Sequence, residues 1–301
     1  MISEPQSQTI SVSECLNTGA LDWQNSIDCV RIDLEKGHNH MVQIIFILIS
    51  FLASVIGCIC GIGGGVIIKP VMDAFGFYSV STINFMSGCI VLSMTAYSFL
   101  KAQLAHESMI EKGVSTYLGI GAALGGLIGK QLFDVIERMV ENANIVGAVQ
   151  AAALFTVTLG TAVYTVFKVH IRTHQIKVPA VCALIGLCLG MLSSFLGIGG
   201  GPINLVVLYF FFSMETKIAA QNSLYIILFS QATSLLFSVL TGKVPEFPML
   251  FLACMVCCGI LGGVAGRKIN KKINNRTVSK LFFGLLIIIM GICCYNFFRY
   301  S

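Results

Sequence analysis

A five-residue block, Gly-Ile-Gly-Gly-Gly, occurs twice in the chain, at residues 61–65 and again at residues 197–201. Each copy interrupts an uncharged apolar run that resumes on its far side. Adjacent glycines break a helix, because glycine costs about 1 kcal/mol relative to alanine in a helix interior. A helix that restarts after such a break presents unpaired backbone N–H groups and the positive end of its dipole. These groups bind anions, so the two blocks predict an anion site that needs no cationic side chain.

Polar side chains near both blocks could complete this site. Lys69 and Asp73 are four residues apart, so they share a helix face and could pair. A charge inside a membrane segment is a functional candidate, although Lys69 could instead extend to an interface. Asn84 and Asn222 begin the helices predicted after each block, where they could donate to an anion or cap a helix. The predicted substrate-binding residues are Gly61, Gly63, Gly64, Gly65, Lys69, Asn84, Ser87, Gly197, Gly199, Gly200, Gly201, Asn222 and Ser223.

Membrane helices must position these residues. Hydrophobic residues make up 56% of the 301 positions, charged residues make up 11%, and the mean hydropathy is +0.85. A soluble domain carries about 25% charged residues. Several uncharged runs approach the roughly 20 residues that are needed to cross a bilayer. The composition predicts an all-α, polytopic integral membrane protein. The basic residues cluster in two short loops, which indicates membrane orientation rather than nucleic-acid binding.

The chain divides into a polar tail and a duplicated membrane domain. Residues 1–40 are polar and mixed in charge, and residues 41–301 form the predicted membrane domain. Within it, repeat one covers about residues 41–168 and repeat two about residues 178–299. Each repeat holds four apolar segments, the first of which contains a glycine block and forms a broken helix or a hairpin. Matching residues recur through both halves at nearly constant spacing, including Asn84 with Asn222, Gly129 with Gly266 and Lys168 with Arg299.

Two topologies are open for the broken segments. If each broken segment crosses once, the basic loops at residues 168–177 and 267–280 lie on opposite faces. If each is a hairpin, every repeat crosses three times, the halves are inverted, and both loops share the face that the positive-inside rule assigns to the cytosol. We favour the hairpins, because inverted repeats are a common transporter plan. Against them, residues 41–60 are long enough to span alone.

The twelve cysteines leave other functions open. Most lie inside apolar runs, where thiols serve as small packing residues. Cys254 and Cys257 nevertheless keep open a membrane-embedded redox or metal protein, and a non-transporting scaffold is a third hypothesis. Cys15 and Cys29 lie in the polar tail and could pair in an oxidising compartment. The chain has no P-loop, dinucleotide fingerprint or Ser-His-Asp set, so we expect neither an enzyme nor a cofactor.

The duplicated block, with Pro70 after the first copy and Pro202 after the second, resembles the TauE/SafE family of sulfite and organosulfonate exporters. The two similar four-segment halves add to this resemblance, which covers residues 42–298. It implies a multipass permease for small anions, often sulfur-containing, without a soluble cofactor. Together with the glycine blocks, it predicts a secondary transporter that works by alternating access around a midplane site. The expected partners are a small inorganic or organic anion and the bilayer, and a homo-oligomer is compatible with the sequence.

Overall fold

The computed structural model describes residues 23–105, 112–140, 143–168 and 171–300. Within these ranges the regular structure is helical, which confirms the all-α prediction. The helices are α1 (Trp23–Cys60), α2 (Gly65–Phe75), α3 (Val80–Leu104), α4 (Lys112–Met139), α5 (Ala143–Phe167), α6 (Pro179–Leu196), α7 (Ile203–Phe212), α8 (Thr216–Leu240), α9 (Met249–Lys272) and α10 (Asn275–Tyr300).

Eight of these helices contain a segment that is long and apolar enough to cross a bilayer, as expected of a multi-pass membrane protein. The other two, α2 and α7, have 11 and 10 residues. At 1.5 Å per residue they extend about 15–16 Å, roughly half of a hydrocarbon core. The first helix begins at Trp23, so part of the predicted polar tail is helical. The division into a tail and two repeats stays a prediction.

The short helix α2 runs back along α1. A Cβ atom built on Gly64, just before α2, would lie 3.2 Å from the Cα of Ser54 in α1. At the other end of α2, the ring of Phe75 packs edge-on against Phe46, with centroids 5.2 Å apart. The start of α2 therefore lies beside residue 54 and its end beside residue 46. The two helices form a hairpin around the first glycine block.

The second short helix returns in the same way. The N–H of Ile176, just before α6, donates to the carbonyl of Phe211 near the end of α7 at 3.0 Å. The N–H of His174 donates to the carbonyl of Phe210 at 2.8 Å, and Ser213 Oγ donates to the carbonyl of His174 at 2.9 Å. The end of α7 therefore lies beside the start of α6, which makes α6 and α7 a hairpin too.

The two basic loops lie at the same end of the helices. Lys168 Nζ, just after α5, is 3.5 Å from Ser279 Oγ in the first turn of α10. Thr216 Oγ1, at the start of α8, is 3.2 Å from the same hydroxyl. We call this end the basic face. A hairpin topology places both loops on one face, whereas single crossings would separate them by the thickness of the bilayer.

Glycines let the third long helix of each predicted repeat pack on the first long helix of the other predicted repeat. In α9, a Cβ atom on Gly262 or Gly266 would lie 2.5 Å from the carbonyl oxygen of Phe51 or Val55 in α1. In α4, Gly121 makes an even closer approach to the carbonyl of Ala183 in α6. Both helix pairs run parallel, because the contacts advance in step along the two chains. The contacts of α9 with α1 and of α4 with α6 hold the first arm of each hairpin in place.

Candidate functional site

The two glycine blocks meet. We call residues 61–64 and 197–202, which connect the arms of the two hairpins, the paired glycine turns. A Cβ atom on Gly63 would lie 3.6 Å from the carbonyl oxygen of Gly199. One on Gly65, the first residue of α2, would lie 2.6 Å from the carbonyl oxygen of Ile198. The hairpins thus touch backbone to backbone, and residues from both predicted halves of the site come together.

The backbone of the turns requires glycine. Six of the predicted site glycines have φ between +62° and +126°, a region that side chains with a Cβ atom rarely adopt. They are Gly61, Gly63, Gly197, Gly199, Gly200 and Gly201. Gly64 has an ordinary φ of −69°, and its role is the close approach to Ser54. The second turn is thus the more strongly left-handed of the two.

The helix ends at these turns are capped unequally. The carbonyl of Ile59, near the end of α1, accepts from Asn270 Nδ2 at 2.7 Å, and that of Phe195, near the end of α6, accepts from Gln150 Nε2 at 2.6 Å. The helices that restart, α2 and α7, have Gly64 and Pro202 at their N-caps and no side-chain hydrogen bond there. One carbonyl near the end of each first arm is thus bonded to a side chain, whereas no side chain caps the N–H groups at the starts of α2 and α7, an arrangement that favours an anion there.

Buried polar atoms surround the turns. Ser87 Oγ lies 2.7 Å from a Cβ atom built on Gly65, and Asn204 Nδ2 lies 2.9 Å from one built on Gly200. Ser87, Asn204 and Ser223 are fully buried, and none of their side-chain polar atoms has a hydrogen-bond partner among the described residues. A buried polar group without a partner costs about 1–3 kcal/mol, so such groups mark places that bind water or a ligand.

The two matching asparagines have different surroundings. Asn84 Oδ1 lies directly against Gly197 and has no hydrogen-bond partner in the described part of the chain. Asn222 Oδ1 accepts from Ser115 Oγ, and its Nδ2 donates to the carbonyl of Ile218 at 2.8 Å. Asn222 therefore links α8 to α4, whereas Asn84 adjoins the second turn. A role of either residue in binding stays a prediction.

Lys69 is buried in α2 and paired. Its Nζ lies 2.8 Å from Asp73 Oδ2, as the spacing of four residues allows. The carbonyl of the next residue, Pro70, accepts from Asn296 Nδ2 in α10 at 2.8 Å. The charge of Lys69 is thus balanced within its own helix, beside α10. Its predicted contact with a substrate would need this ion pair to open.

A polar cleft reaches the second turn from the face opposite the basic face. It has an empty volume of about 330 Å³, and Gly197 is part of its lining. Its polar lining residues are Asn84, Lys130, Ser194, Gln231, Ser234 and Ser238. We call it the Asn84 cleft. The apolar side chains of Val91 and Ile227 lie beside the first turn, 3.3 Å and 3.7 Å from a Cβ atom built on Gly63.

Several residues near the turns escaped sequence analysis. Asn204 lies inside an apolar run, and Ser194 ends one, so neither stands out by pattern. Lys130 has a detectable signal, because it follows Gly129 as Arg267 follows Gly266 in the other half. Its charge is balanced by Asp134 at 2.9 Å, and Asp134 also contacts Lys243 at 2.5 Å.

The described cysteines are free thiols and belong to no cluster of metal-binding side chains. Across the described ranges, no group of three His, Cys, Asp or Glu side chains could hold a metal ion, and ten cysteines are free thiols. These include Cys254 and Cys257 of the pair noted in α9. Cys15 and the side chain of Cys29 lie outside the described residues, so their pairing stays a prediction.

Known proteins resemble this chain in sequence. The model of the sulfite exporter TauE/SafE family matches residues 46–293. A probable membrane transporter protein of Bacillus subtilis (strain 168), YunE, is 24% identical over 227 residues, which cover 68% of this chain and 81% of that protein. No solved structure matches the chain. Since the family match spans both hairpins and nearly all of the long helices, the chain belongs to the sulfite exporter TauE/SafE family of membrane transporters.

Proposed function

We propose that this protein is a secondary transporter for small anions, and that sulfur-containing anions such as sulfite or organosulfonates are its substrates. The observation that carries the proposal is the contact between the two glycine turns, each followed by a helix start without a side-chain cap. The family supports the transport of a solute, and the name of the family supports sulfite as one substrate.

The chemistry of the turns suits a weakly held oxyanion. Backbone N–H groups at the starts of α2 and α7 would donate to its oxygens, with both helix dipoles adding a favourable field. The hydroxyls of Ser87 and Ser223 and the amide of Asn204 could complete the shell. The positive charge of Lys69 in α2 is balanced by Asp73. A site of neutral donors releases its ligand more readily than a buried cation would.

A difference between the two faces of the protein supports alternating access. From one face, the Asn84 cleft reaches Gly197. On the side of the basic face lies Cys58, three residues before the first glycine block. Ser194 is three residues before the second block, so the two residues occupy matching positions in the sequence. Cys58 Sγ lies 3.3 Å from Ser98 Oγ, and Arg267 Nη1 donates to the carbonyl of Ser98 at 2.8 Å. These bonds join α1, α3 and α9 at the position that matches the cleft.

The test is anion flux into liposomes that contain the purified protein. Replacing Gly64 or Gly200 with leucine should abolish flux while membrane insertion persists, because the first side chain would meet the backbone of Ser54 and the second the side chains of Ile227 and Asn204. Gly160→Leu is the matched control, since no atom lies within 4 Å of a Cβ atom built there. Unchanged flux in both turn variants would refute the site.

The substrate class needs its own measurement. Flux should be compared for sulfite, sulfate, short alkyl sulfonates and small carboxylates under one gradient. We expect sulfite or sulfonates to move fastest. Faster movement of carboxylates would retain an anion transporter and reject the sulfur substrate. Replacing Cys254, Cys257 and Cys258 with alanine should preserve flux, and loss of flux would instead favour thiol chemistry.

A further inference from the structure

A second cleft opens at the basic face, away from the glycine turns. It lies between α5, α7, α8 and α10 and has an empty volume of about 400 Å³. Its polar side carries Tyr164, Lys168, Thr216 and Ser279. We call it the Lys168 cleft.

The cleft has a polar end and an apolar end. At the polar end, Lys168 Nζ lies 3.5 Å from Ser279 Oγ and 5.5 Å from the centre of the Tyr209 ring. Tyr164 contributes a hydroxyl that is buried and has no hydrogen-bond partner among the described residues. The other end is formed by Leu205, Ala219 and Phe282. One charge above an apolar floor fits a ligand that has an anionic head and a short hydrocarbon part.

A comparison with the matching residue, Arg299, indicates that Lys168 is available to bind a ligand. Arg299 corresponds to Lys168, and it caps the end of α2 by donating to the carbonyls of Asp73, Ala74 and Phe75. At the end of α7, the carbonyls of Phe210 and Phe211 already accept from the backbone before α6. Lys168 is therefore not needed as a helix cap and faces the cleft instead.

The charge of Lys168 is also unbalanced. Lys69, Lys130 and Lys243 each form an ion pair with an aspartate, but Lys168 forms none with any described residue. The nearest acid in sequence to Thr216 is Glu215, whose Oε2 accepts from Asn275 Nδ2 at 3.0 Å. The described residues that line the cleft include no carboxylate. An anion would therefore meet one cation and several hydroxyls without a competing negative charge.

We propose that the Lys168 cleft binds an anionic amphiphile, with Lys168 and Ser279 on the anionic head and Leu205, Ala219 and Phe282 on the hydrocarbon part. The ligand is either a small organic anion, such as an alkyl sulfonate, or the head group of an anionic lipid. Both share a charged oxyanion attached to an apolar chain. The site is separate from the paired glycine turns, so it does not depend on the transport mechanism proposed above.

The test is calorimetric titration of the purified full-length protein in phosphatidylcholine nanodiscs with butanesulfonate. Lys168→Gln should weaken binding about tenfold or more, because hydrogen bonds to charged groups are the stronger class. Lys168→Arg should keep binding within a few fold of the original. Inorganic sulfate and butanol, which carry only the charge or only the chain, should each bind more weakly than butanesulfonate.

Lys177→Gln is the matched control, because it removes a positive charge from the same loop outside the cleft. The proposal would be overturned if Lys168→Gln bound butanesulfonate as tightly as the original protein. It would also be overturned if Lys168→Gln and Lys177→Gln lost the same amount of affinity. Thr216→Val, which removes only a hydroxyl from the lining, is a second test and should weaken binding a few fold. Gly200→Leu should keep the Lys168-dependent binding even where it abolishes flux.

The source of the ligand is decided by a second set of nanodiscs that contain phosphatidylglycerol. If the anionic lipid occupies the cleft, these discs should weaken butanesulfonate binding to the original protein and leave the residual binding of Lys168→Gln unchanged. If a small organic anion is the ligand, the affinity of the original protein should be the same in both kinds of disc. An equal loss of affinity in both proteins would show general charge repulsion and count against the cleft.

Discussion

A Cβ atom on Gly65 would lie 2.6 Å from the carbonyl oxygen of Ile198 and 2.7 Å from Ser87 Oγ. Residues 65 and 198 belong to different hairpins, so this contact joins the two halves of the membrane domain at their glycine turns. The contact is possible because Gly65 has no side chain. The carbonyl oxygen of Ile198 belongs to the backbone, so it cannot move aside as the end of a flexible side chain could.

Gly65→Ala should therefore destabilise the protein and reduce anion flux. Overpacking of this kind costs about 1–3 kcal/mol. The measurement is the thermal unfolding midpoint of the purified protein, together with flux in liposomes. Gly284→Ala is the control in α10, since no atom lies within 4 Å of a Cβ atom there. Gly284→Ala should leave the unfolding midpoint unchanged or raise it, because alanine is more favourable than glycine in a helix by up to about 1 kcal/mol. Equal midpoints for the two variants would contradict the close contact.

Asn84→Asp tests whether the second turn receives an anion. The change is nearly isosteric and puts a negative charge beside Gly197, in the lining of the Asn84 cleft. Two like charges about 4 Å apart near a protein surface repel by several kcal/mol, so we expect the apparent anion affinity to fall at least about tenfold. The concentration dependence of flux measures this effect.

Asn222→Asp is the comparison for that experiment. Because the Asn222 amide donates to the carbonyl of Ile218, the aspartate should lower the unfolding midpoint more than it lowers affinity. A fall in affinity with Asn222→Asp alone would reverse the assignment of the two asparagines. An unchanged affinity in Asn84→Asp would remove Asn84 from the site.

The membrane helices could be predicted from the sequence because their signal is local. Length and hydropathy along a single segment decide whether it can cross a bilayer, and eight described helices satisfy both. The glycine turns are local as well, since six of their residues need a positive φ that glycine adopts at no cost. The contact between Lys168 and Ser279 agrees with the topology that the distribution of basic residues favoured.

Contacts between distant segments could not be predicted in this way. Asn84 and Asn222 look equivalent in sequence, but Ser115 engages one of them and the second glycine turn adjoins the other. Lys168 and Arg299 also match, yet only Arg299 reaches the carbonyls of a short helix. In both cases the difference arises from neighbours more than one hundred residues away, which no local pattern records.

Asp134→Asn should destabilise the protein. Asp134 is buried at the end of α4 and binds both Lys130 and Lys243, so the change leaves two cations without a partner. Removing one member of a buried ion pair costs about 3–5 kcal/mol, and the partial exposure of Lys243 should lower this to about 3 kcal/mol. Denaturant or thermal unfolding of the purified protein measures the loss.

Glu246→Gln is the control for this change, because Glu246 is exposed in the connection between α8 and α9. A surface change of this kind should stay within about 0.5 kcal/mol of the original stability. A double variant, Lys130→Met with Asp134→Leu, should recover part of the loss, because apolar residues can replace a buried ion pair at little cost. Equal stability of Asp134→Asn and Glu246→Gln would show that the ion pairs contribute nothing.

Labelling from one side of the membrane tests the hairpin topology. Arg172→Cys, Lys272→Cys and Glu246→Cys each place one thiol at an exposed position in a protein whose native cysteines have been replaced. A membrane-impermeant maleimide should label the first two from the same side, the cytosolic one by the positive-inside rule, and the third from the opposite side. Single crossings of the broken segments would instead put residues 172 and 272 on opposite sides. Such a result would reject the hairpins, and with them the inverted relation of the two halves on which alternating access between the Asn84 cleft and the basic face depends.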